Sequence, residues 1–209
     1  MGNTKERILE VTAELFRRHG YTGTGIKQIT ASANAPFGSL YHFFPGGKEQ
    51  LGQEVIRRSG RMYLELFEAI FDAAPDAVTG VDDFFSGAAE LLRQTDYADA
   101  CPIATVSFEV ARVSEPLREA TSDVFESWID GASVRLVDAG VPAAKAREVA
   151  ILLISALEGA FILSRALRRT EPVDVARAAG TAAVRAALGR TVRYEAGRRV
   201  AVRCPARTA

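Results

Sequence analysis

An all-α fold is expected for this chain from three features of its sequence. Apolar residues recur at the three- and four-residue spacing of helices, no segment alternates β-branched residues as a strand does, and breaks containing Pro or Gly divide the chain into pieces of helical length. With 209 residues, 48% apolar and 25% charged, the chain can bury a sizeable core, which sets it apart from disordered segments and disulfide-held miniproteins. No internal repeat is visible.

The first helix carries Ile8, Leu9, Val11, Thr12, Leu15 and Phe16 in one stripe. Asn3 and Glu6 have the spacing of a capping box, and Arg17, Arg18 and His19 followed by Gly20 supply a cationic last turn and a glycine stop. A second short helix is expected over 26–33, with Ile29 and Ala33 inward. Asn34 tolerates the left-handed conformation of a tight turn, and Pro36 suits the opening of a third helix over 37–44, because its missing N–H would be unpaired there. Pro45-Gly46-Gly47 ends that helix. Lys48 opens a long one to about Asp72, with Leu51, Val55, Leu64, Phe67 and Phe71 on its apolar side. Breaks at 74–80, 99–102, 115–116, 140–142 and 171–172 delimit further helices near 81–95, 103–113, 116–139, 143–170 and 172–188. From Arg190 onward no stripe remains, and the sequence reads as a loose basic tail. The expected organisation is therefore an N-terminal domain over 1–47, a helical domain over 48–189 and a tail over 190–209.

The formal net charge of zero conceals an uneven distribution. Residues 1–61 hold nine Lys/Arg against five Asp/Glu, residues 62–189 eleven against twenty, and residues 190–209 six against one. A basic N-terminal part suits a polyanion. Cys101 and Cys204 are too few for a disulfide framework, and the N-terminus enters an amphipathic pattern without a signal peptide, so a reducing cytoplasm is expected. The longest apolar run, 150–163, is interrupted by Glu158 and is shorter than the ~18 residues a membrane span needs.

Three short helices with a tight turn before the third have the plan of a helix-turn-helix, whose last helix enters the major groove. The first turn of that helix would present Phe37 to thymine methyls, Gly38 for close backbone approach and Ser39 as a hydrogen-bonding group, with Tyr41 and His42 a turn later. Leu40, Phe43 and Phe44 would face the protein. The stretch LFRRHGYTGTGIKQITASANAPFGSLYHFFPGGKEQL resembles the N-terminal domain of the TetR family of transcriptional repressors over residues 5–51, matching at Gly20, Tyr21, Ile29, Ala33, Gly38, Leu40, Tyr41, Phe44, Lys48 and Leu51. That resemblance implies phosphate contacts by Tyr41, His42 and Lys48, and an approach to bases or backbone by Lys27, Gln28 and Phe37 to Ser39. Gly25 replaces a capping Ser or Thr, and Thr30, Asn34 and Pro36 replace a small apolar residue, Gly and Ser. The extra residue in PGGK and the string ACPIATVSFEVA are similar to the LmrA/YxaF subgroup.

The second domain is rich in rings, and Phe67, Phe71, Phe85, Phe108, Phe125, Trp128 and Phe161 are candidates to line a cavity for a hydrophobic or aromatic small molecule. Cys101 is expected at a helix start. Glu109 and Glu158 fall within apolar helices and need partners, for which Arg112 or a ligand are candidates. The last two helices are unusually rich in Ala and Gly, small residues that permit close approach, with Ile151, Ile154, Ala156, Gly159 and Leu163, then Val173, Ala176, Gly180, Ala183 and Ala187, in their stripes. In TetR-like proteins this pair forms a four-helix dimer interface, which implies a homodimer on palindromic double-stranded DNA, released by an effector. With two histidines and no HExxH, GxSxG, phosphate-binding glycine loop or Cys/His cluster, no catalytic set, metal site or cofactor is expected. The alternative reading is a helical ligand-binding or adaptor protein without specific DNA readout.

Overall fold

The computed structural model describes residues 4–98, 101–111 and 114–189. Among them are nine helices: α1 Thr4–His19, α2 Ile26–Ser32, α3 Phe37–Phe43, α4 Gly47–Ala73, α5 Ala77–Gln94, α6 Pro102–Val110, α7 Glu115–Asp138, α8 Ala143–Leu167 and α9 Glu171–Ala187. No strand occurs among the described residues. Asn3 and Arg112, invoked above as a cap and an ion-pair partner, lie outside the described residues, as do Cys204 and the 190–209 tail.

Two cores organise the molecule. One joins α1, α2 and α3 to the first half of α4, to α6 and to the start of α7, through fully buried Ile8, Ile29, Leu40, Phe44, Leu51 and Leu117 among others. The α1 stripe is as expected, except that Val11 sits at its half-buried margin. The other core joins the end of α4 to α5, α7, α8 and α9 around Phe85, Leu92, Leu136, Val173 and Val184. Helix α4 runs through both. The N-terminal helices are therefore not packed on α4 alone: Ile103, Val106 and Val110 of α6 complete their core.

Helix boundaries follow local chemistry. Asn34 adopts φ 47°, so the turn into α3 forms with Asn where Gly is commoner. Thr30 is buried without penalty because its hydroxyl donates to the Ile26 carbonyl at 3.1 Å. Gly25 and Pro36, at the N-caps of α2 and α3, supply no side-chain cap, whereas Ser114 Oγ accepts from the Leu117 N–H to cap α7.

Helix α5 begins four residues before the expected 81, because Asp76 caps it by accepting from the Thr79 N–H at 2.9 Å. Gly80 is therefore not a break. It lies inside the helix where a Cβ would come within 3.0 Å of the Phe71 ring, and its job is to let α4 and α5 approach. Helix α6 ends at Val110 rather than 113, and α8 stops at Leu167 rather than 170, where Arg168 turns left-handed at φ 53°.

Helix α8 as a whole is long and apolar enough to cross a membrane by length and composition. It packs instead between α7 and α9. The inner positions of the small-residue pair are spent within the protomer: Val173, Ala176 and Gly180 are buried, and a Cβ on Gly180 would stand 2.7 Å from Leu153. Facing outward are Ile151, Leu152, Ile162, Leu163 and Leu167 of α8 with Val175 of α9, each more than two-fifths exposed. Gly159 lies among them, and a Cβ there would meet nothing within 4 Å. So many exposed large apolar side chains on one pair of helices exceed what scattered surface leucines would make.

Candidate functional site

The third helix is held from one side only. Leu40 and Phe44 are fully buried, and each such side chain contributes about 1.5–3 kcal/mol of burial. Phe43 is half-buried against the same core. On the other side Phe37 is 50% and Tyr41 45% exposed, their ring centroids 5.7 Å apart. Gly38 and His42 are exposed beside them, and no atom lies within 4 Å of where a Gly38 Cβ would be. Lys27 and Gln28 of α2 are also exposed, while Ser39 is half-buried. All of the N-terminal candidates except Lys48 thus lie on α2 and α3, and the start of α4 adjoins them, since a Cβ on Gly47 would come within 3.4 Å of Tyr41.

Lys48 differs from the surface cation that sequence alone suggests. It is half-buried, with Nζ 4.1 Å from the centroid of the Tyr21 ring. Burial lowers its pKa from the ordinary lysine value, opposed by the nearby Glu109 carboxylate.

Glu109 has a defined role in the packing. Its Oε2 accepts from both the Thr22 backbone N–H, at 2.6 Å, and the Thr22 hydroxyl, at 2.7 Å, so α6 is tied to the turn between α1 and α2. The carboxylate occupies the space that a side chain at residue 20 would need: a Gly20 Cβ would stand 1.7 Å from Oε1. Gly20 also has φ +71°, so this turn requires glycine on two independent grounds.

A cavity of about 480 Å³ lies among α4, α5, α7 and α8, with Cys101 at the start of α6 also in its lining. Phe67, Phe85, Trp128 and Phe161 line it as expected. Three other candidates do not. Phe71 is turned into the α4–α5 contact against Gly80, Phe125 packs edge-on to Trp128 at 5.5 Å within the N-terminal core, and Phe108 is 76% exposed. The last follows from helical geometry, because Ile103, Val106 and Val110 define the buried face of α6 and Phe108 falls on the opposite side. Phe84 of α5 lines it as well, and sequence reasoning missed Tyr63, Leu66 and Ile70, which line the cavity with Phe67 at helical spacing on α4, together with Leu91 of α5.

Cys101 and Glu158 are both among the polar groups that line the cavity, and each perturbs the other's titration. Burial pushes the Glu158 carboxyl up to about 7. The Cys101 thiol is pushed well above its ordinary range, chiefly by burial and then by Glu158, while its sulfur caps α6 by accepting from the Ala104 N–H at 3.4 Å. No group of three or more His, Cys, Asp or Glu side chains suited to a metal ion occurs among the described residues.

An outward-facing third helix on a helix-turn-helix core, followed by helices that enclose a ring-lined cavity, is the arrangement of a helix-turn-helix transcriptional regulator. Residues 8–55 match the model of bacterial regulatory proteins of the tetR family, and residues 77–179 match that of the transcriptional regulator LmrA/YxaF-like C-terminal domain. The chain is 34% identical over 78% of its length to the uncharacterized HTH-type transcriptional regulator YxaF of Bacillus subtilis, spanning 85% of that protein. It is 30% identical over 82% of its length to the HTH-type transcriptional regulator LmrA of the same organism, spanning 92% of it. The chain belongs to the TetR family of transcriptional regulators, with an LmrA/YxaF-like second domain, and is a regulator rather than an enzyme. Its fold is shared with a TetR transcriptional regulator from Legionella pneumophila, at TM-score 0.73 and 23% identity over 86% of this chain and 96% of that one. It is shared equally with a TetR regulatory protein from Rhodobacter sphaeroides, at TM-score 0.76 and 19% identity over 85% and 97%.

Proposed function

We propose that this regulator is a cytoplasmic repressor that binds a palindromic operator as a homodimer and is released from it when a hydrophobic small molecule enters the cavity. The observation that carries the reading is the one-sided anchoring of α3: Leu40 and Phe44 fix the helix while Phe37, Gly38, Tyr41 and His42 remain available to a groove. Phe37, Gly38, Ser39, Lys27 and Gln28 approach bases and backbone, and Tyr41, His42 and Lys48 take phosphates. The domain boundary near residue 47 follows from this division of labour, with α4 carrying the reading head.

The exposed apolar stripe of α8 and α9 supports a two-fold four-helix interface, and two-fold symmetry requires half-sites about 34–36 Å apart or a multiple of that spacing. An effector releases DNA only by binding the DNA-incompetent arrangement more tightly than the competent one. The Glu109–Thr22 contact supports a physical route between the two sites, since α6 begins at the cavity and ends against the α1–α2 turn.

The test is a fluorescence-anisotropy titration of the full-length protein against duplexes tiled across the promoter upstream of its own coding sequence. One palindrome is expected to bind at least about a thousandfold more tightly than random duplex. Equal affinity for all duplexes at moderate salt would reject the reading and leave a ligand-binding or adaptor protein.

A further inference from the structure

We propose that the cavity selects a hydrophobic monocation, an aromatic or alkyl body bearing one ammonium group, and that Glu158 receives the charge. This rests on the cavity being the effector site and deepens that assignment by naming the ligand's chemistry. Among the described residues lining the cavity, the ionisable ones are Tyr63 from α4, Glu90 from α5, Cys101 from the start of α6 and Glu158 from α8, while α7 contributes Trp128 and no ionisable group. No Lys, Arg or His is among the described residues that line it.

Glu90 is already engaged by its own helix, pairing with Arg93 at 2.9 Å and accepting from Gln94 at 3.0 Å. Glu158 shares the cavity lining with the Cys101 thiol, at best a weak donor. An anionic ligand would face carboxylates with nothing to neutralise it. A purely apolar ligand would strip remaining water from Glu158 and give no donor in return. A cation removes that cost, and it is attracted by the face of any of the rings that line the cavity, Tyr63, Phe67, Phe84, Phe85, Trp128 and Phe161. The volume of about 480 Å³ suits a drug-sized molecule.

Charge recognition here also has a proton signature. In the empty cavity Glu158 holds its proton to about pH 7, and a bound ammonium favours the carboxylate, so cation binding expels that proton and strengthens as pH rises through 7.

The experiment uses the full-length protein and three probes in isothermal titration calorimetry: 4-phenylbutyltrimethylammonium, its uncharged tert-butyl isostere, and 5-phenylpentanoate. The quaternary ion is expected to bind at least about tenfold more tightly than the isostere at about pH 8, with the preference shrinking at about pH 6 and the carboxylate weakest. Glu158→Gln should abolish the preference while still taking up the isostere, and Glu90→Gln should keep it. Equal binding of ion and isostere, no binding of any probe, or a preference surviving Glu158→Gln overturns the proposal. If the ion binds with the stated preference and leaves DNA binding unchanged, the cation site stands and the effector role falls. Release of DNA by a neutral or anionic ligand held in the same cavity has the reverse meaning.

Discussion

The Glu109 carboxylate of α6 accepts two hydrogen bonds from Thr22, a residue 87 positions earlier in the chain, at 2.6 Å from the backbone nitrogen and 2.7 Å from the hydroxyl. Hydrogen bonds to an ionised group are worth about 1.5–3 kcal/mol each where water is excluded, and less at this partly exposed site. In a double-mutant cycle of Thr22→Val and Glu109→Ala, read by urea unfolding, a coupling energy of about 1 kcal/mol is expected. Strict additivity of the two changes would mean that the contact transmits nothing between α6 and the α1–α2 turn.

The outward face of α3 and the start of α4 yields a second expectation, in which phosphate and base contacts separate by their salt and sequence dependence. Tyr41→Phe and Lys48→Ala should weaken binding to every duplex alike, and loss of the lysine charge should reduce the log–log salt slope by about 1. Phe37→Ala and Lys27→Ala should instead change the ranking of operator variants. Because Lys48 also lies over the Tyr21 ring, its variant should lose a little thermal stability as well, which Lys48→Arg should largely restore. Operator binding unchanged in all four substitutions would remove this surface from the interface.

How much of this was legible in the sequence depended on range. The helices of the helix-turn-helix were readable because Ile29, Ala33, Leu40 and Phe44 keep a local spacing that fixes which side is buried. Glu109 could be recognised only as a carboxylate in need of a partner, since nothing local in the chain points from α6 to Thr22. The cavity was half legible for a related reason: rings are conspicuous, but which ring faces inward depends on helix phase and on neighbours such as Gly80, whose missing side chain admits Phe71. Phe108 shows the limit, an aromatic on the outer face of a short helix whose buried face was already defined by Ile103, Val106 and Val110.

Glu158 makes folding stability depend on pH with a definite sign. Its carboxyl titrates at about 7 in the folded chain, against an ordinary glutamate value of 4.5, so the folded state holds a proton that the unfolded state has released. The resulting stabilisation is complete below about pH 4.5, declines as pH rises, and is gone above about 7, a loss on the order of 3 kcal/mol. Thermal unfolding of the wild type should therefore show a downward step across this window, absent in Glu158→Gln. A wild-type profile parallel to that of the variant would show Glu158 to be solvated as a carboxylate.

The same surroundings govern Cys101. Its thiol is held well above the usual range, first by burial and then by Glu158, which leaves little nucleophilic thiolate at neutral pH. In a Cys204→Ser background, alkylation of Cys101 by iodoacetamide should run at least about tenfold more slowly than that of free cysteine. A rate equal to or above the free thiol's would show the sulfur to be solvated and reactive.

The exposed stripe of α8 and α9 gives the expectation on which the symmetry of DNA recognition depends. Leu163 is 54% exposed and Ile162 53%, so a charge at either position does not disturb the protomer core, which is built from Leu153, Ala160, Val173 and Val184 on the opposite faces. Buried against a second copy, the same leucine would leave an aspartate desolvated beside apolar side chains and, across a two-fold axis, near its own symmetry mate. Leu163→Asp should accordingly shift sedimentation from dimer to monomer at micromolar concentration while the unfolding temperature measured on dilute monomer is retained. Operator affinity should fall steeply with it, because a single reading head keeps only one half-site. A wild-type chain that sediments as a monomer, or an aspartate variant that remains dimeric, would place the dimer interface elsewhere or remove it altogether.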